Sequence, residues 1–260
     1  MPKKIIPLQA PSFQDRLPCP MVFRMADMPR QASYPWHRHN WGEFVYSFSG
    51  VLEIKLAGSH YLVPPQYGLW LPQGVEHIGF NRSEVSLCSL YVSLDLCRDL
   101  PAATCSLAIT PLTRAILEHL REYPAVAFED EQYQRLLRVL VDQLGQTEKI
   151  DNYLPMSEGG LLGKVLAHLE NCPGDNRSVA ELAAWAGTND RTLNRYCQRD
   201  LGMPLVQWRQ RLRVVKAFAL LNSGRKVEDI ARDLGYSSAS AFIVMFKKMV
   251  GQTPDEFREN

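Results

Sequence analysis

Ser178-Val-Ala-Glu-Leu-Ala-Ala-Trp-Ala-Gly187 and Lys226-Val-Glu-Asp-Ile-Ala-Arg-Asp-Leu-Gly235 are two copies of one pattern, offset by 48 residues. Val179 aligns with Val227, Leu182 with Ile230, Ala183 with Ala231 and Gly187 with Gly235. The match continues at an offset of 49, pairing Leu193, Gly202, Trp208 and Arg209 with Phe242, Gly251, Phe257 and Arg258, so the second turn holds one extra residue. Self-similarity at a fixed period marks a duplicated supersecondary unit. In each copy apolar residues recur at helical spacing. A small alanine stands where a second helix must cross closely, and four residues later a glycine supplies the positive φ that a short interhelix turn needs. Each copy therefore reads helix, tight turn, helix. Val206–Leu221 joins them as a further helix with Leu212, Val215, Ala219 and Leu220 on one stripe.

The faces left polar by this pattern suit DNA. In the first copy Thr188 and Asn189 lead into a helix whose polar face carries Arg191, Thr192, Arg195 and Arg199, opposite Leu193, Tyr196 and Cys197. Arginine reads guanine O6 and N7 in a major groove, and threonine touches the thymine methyl. The second copy offers Ser237, Ser238 and Ser240 at its start and Lys247 with Lys248 for phosphate. A net charge of +1 hides a segregation: from Leu161 onward there are 15 Lys+Arg against 11 Asp+Glu, and before it 14 against 17. Charge on one helix usually means only a solvated face. Repetition of the unit, with a connector rich in base (Arg209, Arg211, Arg213, Lys216), shifts the balance to nucleic acid. A rigid connector would set two recognition helices in successive major grooves, about 34 Å apart.

The region 161–260 resembles the AraC/XylS DNA-binding domain. Val227–Tyr236, Phe242, Phe246-Lys-Lys, Gly251-Gln-Thr-Pro254 and Phe257-Arg258 carry the resemblance. One departure is Ile243-Val-Met245, where the family often has arginine or another polar group, so the first recognition helix is expected to carry more base readout and the second mainly weaker or backbone contacts. The resemblance implies a transcription regulator of bacterial type that binds double-stranded promoter or operator DNA, pairs as a homodimer, contacts RNA polymerase and answers to a small-molecule effector.

The N-terminal half has a different texture. From about Val22 to Ser93 short apolar runs alternate with turn signals, as in a sandwich or small β-barrel. Within it stand His37-Arg-His39-Asn-Trp-Gly-Glu43, seven residues before Gly50, and Pro72-Gln-Gly74-Val-Glu-His77, four residues before Asn81. On an extended strand His37, His39 and Glu43 share a face, and His77 on a facing strand could supply a fourth donor. Three imidazoles and a carboxylate suit one divalent transition metal without selecting which. The spacings resemble the two cupin motifs, although Gln31 and Gln66 stand where a glycine is common. Trp36, Trp41, Tyr46 and Trp70 are the aromatics expected around an effector pocket. The bland reading is a polar pocket whose side chains bond one another or water. Rival functional readings are a cupin metalloenzyme of the dioxygenase or isomerase kind fused to a DNA-binding module, and a regulator whose effector is the metal ion itself.

These observations predict an α+β chain of two domains. Residues 1–146 form a cupin-like effector and dimerisation domain, with a barrel over about 20–100 and amphipathic helices over about 110–146. A polar linker over 147–160 leads to an all-α double helix-turn-helix domain over 161–260. The Leu136, Leu137, Leu140 and Leu144 stripe is a candidate dimer face, though such stripes are more often core. No apolar run approaches the roughly 18 residues that span a bilayer, and the N-terminus lacks the apolar core of a secretory signal, so a cytoplasmic, non-enzymatic protein is expected. Six cysteines without a CxxC pair are expected as free thiols.

Overall fold

A computed structural model of the 260-residue chain describes residues 6–8, 16–57, 59–123, 130–150, 154–157, 159–250 and 253–259. It divides into two compact units, 1–153 and 154–260. Gly58, Gly251, Gln252 and part of the expected linker (151–153 and 158) lie outside the described residues.

The first unit is built on strands β1 (Ile6–Pro7), β2 (Met21–Met28), β3 (Ala32–Ser33), β4 (Gly42–Ser49), β5 (Leu52–Leu56), β6 (Ser59–Val63), β7 (Tyr67–Leu71), β8 (His77–Asn81), β9 (Val85–Val92) and β10 (Cys105–Ala108). Helices α1 (Pro111–Glu122) and α2 (Glu131–Gln146) follow, then a short strand β11 (Lys149–Ile150). The strands form two sheets, ordered β1-β3-β8-β5-β6 and β11-β10-β7-β4-β9-β2. Strand parity sorts the core into two layers. Val45, Leu69, Leu71 and Leu87 pack with Leu52, Ile54 and Val63 between the sheets. Phe44, Tyr46, Trp70 and Leu90 point the other way and meet Leu117 and Leu120 of α1 and Leu137, Leu140 and Leu144 of α2. Both helices begin on a side-chain cap, Thr110 accepting from the Thr113 amide and Asp130 from that of Tyr133. Gln31 takes φ 62° in the turn before β3, so the position where a glycine is common keeps the glycine-like backbone without the residue.

Two expectations are corrected. The stripe proposed as a dimer face is intramolecular core, since Leu137, Leu140 and Leu144 are fully buried against the six-stranded sheet. The linker is shorter than 147–160: Lys149 and Ile150 pair with Leu107 and Ser106, while Leu154 is buried and the Trp208 indole donates to the Pro155 carbonyl (2.7 Å).

The second unit is helical: α3 (Gly160–Asn171), α4 (Val179–Ala186), α5 (Asp190–Leu201), α6 (Leu205–Asn222), α7 (Val227–Asp233), α8 (Ala239–Val250) and α9 (Pro254–Glu259). The two sequence copies become α4–α5 and α7–α8. Their turns are built alike, with Gly187 at φ 85° and Gly235 at φ 78°. In each, the next amide closes back onto the repeated alanine: Thr188 donates to the Ala183 carbonyl (2.9 Å) and Tyr236 to that of Ala231 (2.8 Å). Helix α6 buries more than the expected stripe. Val214, Ala217, Phe218 and Leu221 are buried beside Leu212 and Val215, because the connector packs against α7, α8 and α9.

Candidate functional site

The four candidate metal donors come together. His37 N–H and C=O each bond the backbone of His77 (3.0 and 2.9 Å), an isolated bridge that locks the two histidine segments side by side. Glu43 lies on β4 itself, and His39 sits in the loop before it, so the set is held by a bridge, a loop and a strand rather than by one extended strand. One donor atom from each of His37, His39, Glu43 and His77 lies within 4.8 Å of all the others. Gly42 is obligatory here, since a Cβ would fall 2.2 Å from the Trp70 ring.

The hydrogen bonds around the cluster aim its lone pairs inward. His37 Nδ1 sits 2.7 Å from the Pro35 carbonyl and His77 Nδ1 2.9 Å from that of Val75. A carbonyl can only accept, so both Nδ1 atoms carry protons, and in the neutral form of each ring Nε2 is the atom left to bind a ligand. Glu43 Oε2 lies 3.1 Å from His39 Nε2 and 3.3 Å from His77 Nε2. Neither approach has good hydrogen-bond direction, leaving the buried His39 Nε2 and Glu43 Oε2 unsatisfied. Burial alone would raise the Glu43 carboxyl, but His39 and His77 outweigh it and hold the group well below the carboxylate range. His37 is lowered by burial and then by the neighbouring His77, which keeps it neutral. Burial disfavours a charged His77, yet its contact with Glu43 raises it overall. Inward-pointing ring nitrogens, an ionised carboxylate and orphaned buried atoms fit a divalent cation, which binds such donors at about 2.0–2.2 Å after a small contraction of the cluster.

The cavity beside these donors is lined by His37, Glu43 and His77 together with Arg24, Tyr34, Ser89 and Tyr91, over an apolar floor that includes Val45, Ile54 and Leu87. None of the four expected aromatics lines it. Tyr46 and Trp70 have the wrong strand parity and face α1 and α2. Trp36 is 50% exposed in the loop before the bridge. Trp41 is buried and stacks on the His39 ring (centroids 5.2 Å, 14°), so it orients a donor without reaching the cavity. Arg24, Tyr34, Ser89 and Tyr91 were missed. The signal for Arg24 was present, as a lone cation among Val22, Ala26 and Met28 on the inward face of its strand.

In the helical unit Arg191, Arg195 and Asn189 are exposed along the first recognition helix α5 and Thr188 and Thr192 are half-buried beside them. Asn189 spends its side-chain oxygen as N-cap to the Thr192 amide (2.9 Å). Arg199 pairs with Asp200 (2.5 Å) and lies over the Tyr196 ring; water and salt screen an exposed pair of this kind, so it is easily exchanged for a phosphate. Ser237 just before the second recognition helix α8 and Ser240 and Lys247 on it are exposed, and Ser238 caps the Ala241 amide (3.1 Å). The connector arginines are not one phosphate-facing row. Arg209 donates to the Arg177 and Asp175 carbonyls (2.7 and 2.5 Å), and Arg213 to Pro173 and Asp175 carbonyls and the Asn176 side chain (3.0, 3.2 and 2.7 Å).

Comparison with known proteins agrees with both halves. Residues 20–157 match the AraC-like ligand binding domain model and residues 182–260 a helix-turn-helix domain model. The HTH-type transcriptional regulator NimR of Escherichia coli (strain K12) is 30% identical over 86% of this chain and 81% of its own length. The HTH-type transcriptional regulator VqsM of Pseudomonas aeruginosa is 32% identical over 44% of this chain and 35% of its own. Among solved structures, ToxT from Vibrio cholerae covers 93% of this chain and 98% of its own at 13% identity, with a TM-score of 0.39. Among the described residues no helix is long and apolar enough to cross a membrane. With more than half of the chain matched by the ligand-binding model and NimR aligned over both units, this protein belongs to the AraC family of DNA-binding transcription regulators and carries an N-terminal ligand-binding domain.

Proposed function

We propose that the ligand-binding domain holds one divalent transition metal on His37, His39, Glu43 and His77 and takes its effector in the adjoining cavity, and that DNA binding by the helical unit depends on that occupancy. The observation that carries the reading is the convergence of four donors within 4.8 Å, three of them, His37, Glu43 and His77, at the wall of the cavity. The metal would supply a fixed positive centre against which an effector is oriented, while Arg24, Tyr34 and Tyr91 offer polar partners and the apolar floor sets the shape of the remainder. Effector binding that favours one state of the protein changes DNA affinity through linkage. No turnover is part of this reading: the relatives carry regulator names, and a site that only has to distinguish filled from empty needs no catalytic step.

Two further parts belong to the same reading. Protomers pair on an operator, and since the leucines of α2 are internal, pairing would use outer surface such as that around Val139, which is 44% exposed. RNA polymerase is contacted by the DNA-bound protein. On the DNA, Arg191, Thr192, Arg195, Ser237 and Ser240 face bases, while Thr188, Asn189, Arg199, Ser238 and Lys247 lie nearer the backbone.

The test is metal analysis of the purified chain, followed by DNA binding with and without a chelator. One equivalent of metal is expected, lost from the His39→Ala, His77→Ala double variant. That variant should bind DNA but no longer answer to chelator. Metal retained by the double variant, or full chelator response in it, would overturn the assignment.

A further inference from the structure

Helix α8 presents to solvent a face that its sequence alone does not explain. Phe242 and Phe246 are fully buried and fix how the helix is turned. At 100° per residue Val244 lies about 160° round the helix from both, at the opposite pole. Its exposure is 68%, the highest of the exposed large hydrophobic residues among those described. Its neighbours on the same face are those at i±3 and i±4: Ser240 and exposed Ala241 on one side, exposed Lys247 and Lys248 on the other. Helix α8 contains no carboxylate. A methyl-bearing centre, small residues toward the start and two lysines toward the end together match a polyanion with an apolar feature in its groove.

The internal repeat says what occupies this face. At the offset of 49 that aligns Leu193 with Phe242, Val244 corresponds to Arg195, Ala241 to Thr192 and Ser240 to Arg191. The pole of α8 is therefore the counterpart of the surface by which α5 would enter a major groove. A single exposed valine elsewhere would need no explanation. At this position, on a helix of a DNA-binding unit, its partner is the one apolar group a major groove displays, the C5 methyl of thymine.

We propose that Val244 is a specificity-determining residue that reads a thymine methyl in the half-site of the second unit, with Ala241 widening the contact, so that the two copies read their half-sites by different chemistry. The inference rests on the DNA-binding function and on α8 entering a major groove. Burying one methyl-sized contact corresponds to about a three- to fivefold change in affinity.

The experiment begins with selection of a preferred duplex by the full chain. Each thymine of the second half-site is then replaced singly by deoxyuridine, which keeps the hydrogen-bonding edge and removes only the methyl. For the wild-type chain one replacement, or two adjacent ones, is expected to weaken binding about three- to fivefold. Val244→Ala should lose that sensitivity, and Val244→Thr, which keeps a methyl, should retain it. Both substitutions are on the exposed pole, and an unchanged melting temperature verifies folding. Deoxyuridine tolerated at every position, or sensitivity undiminished in Val244→Ala, would overturn the proposal while leaving DNA binding intact; the face would then serve a protein partner. Failure to select any duplex would overturn the DNA-binding reading and this inference with it.

Discussion

Where the first helix-turn-helix copy presents Arg195 to solvent the second presents Val244, and a parallel difference runs through the turns of the two copies. A Cβ added at Gly187 would meet nothing within 4 Å, whereas one at Gly235 would lie 2.4 Å from the Gly174 carbonyl oxygen. The Asn176 amide also donates to the Gly235 carbonyl (2.6 Å), and Arg213 lies over the Tyr236 ring. The segment 173–177, which enters the first copy, is thus seated on the turn of the second and tied to α6 by Arg209 and Arg213. Duplication supplies two similar reading heads. The difference between their turns supplies a brace, because the second is docked onto chain that belongs to the first. Two heads at a fixed separation can demand two half-sites at a fixed spacing, which independent heads on a loose tether cannot do.

The largest effect should come from the turns. Gly235→Ala combines a left-handed backbone with a clash against unyielding main chain and is expected to cost about 3–4 kcal/mol. Gly187→Ala meets only the backbone penalty, about 1 kcal/mol. Chemical denaturation of the two variants reads the difference, and equal losses would break the comparison. Arg213→Ala removes the charge-assisted bond to the part-buried Pro173 carbonyl, while the Asp175 carbonyl keeps Arg209, and is expected to cost roughly 1–2 kcal/mol. That variant should also relax the spacing requirement on DNA, which a merely solvated arginine would not do. Arg195→Ala, by contrast, should leave the melting temperature unchanged while weakening the selected duplex by about 1–2 kcal/mol, concentrated at one or two base pairs. Equal weakening on unrelated DNA would reassign Arg195 to phosphate.

Much of this was readable in the chain, and the failures share a cause. The glycine turns, the paired alanines and the buried Leu193 and Phe242 follow from local spacing, and the fold realises them. The convergence of His37, His39, Glu43 and His77 was also legible, because motif spacing encodes it. The pocket aromatics were not. Their residue type suggested a ligand wall, but strand parity sends Tyr46 and Trp70 to the helix layer, and parity counted from Glu43 along β4 would have excluded Tyr46. Arg209 and Arg213 counted toward the basic character of the connector, because a charge on a helix cannot reveal a distant loop, 173–177, that folds over it. Asn189 is legible as a helix cap from its place before α5, whereas Ser238, expected to reach a base or phosphate, also spends its side chain as a cap.

The brace is tested most directly by moving the half-sites. With the full chain and its selected duplex, five base pairs inserted between the halves rotate one by about half a turn of a helix that repeats every 10–10.5 base pairs. Affinity is expected to fall at least tenfold, with recognition at one half lost. Affinity unchanged by the insertion would mean that the two copies bind independently, and would contradict the account.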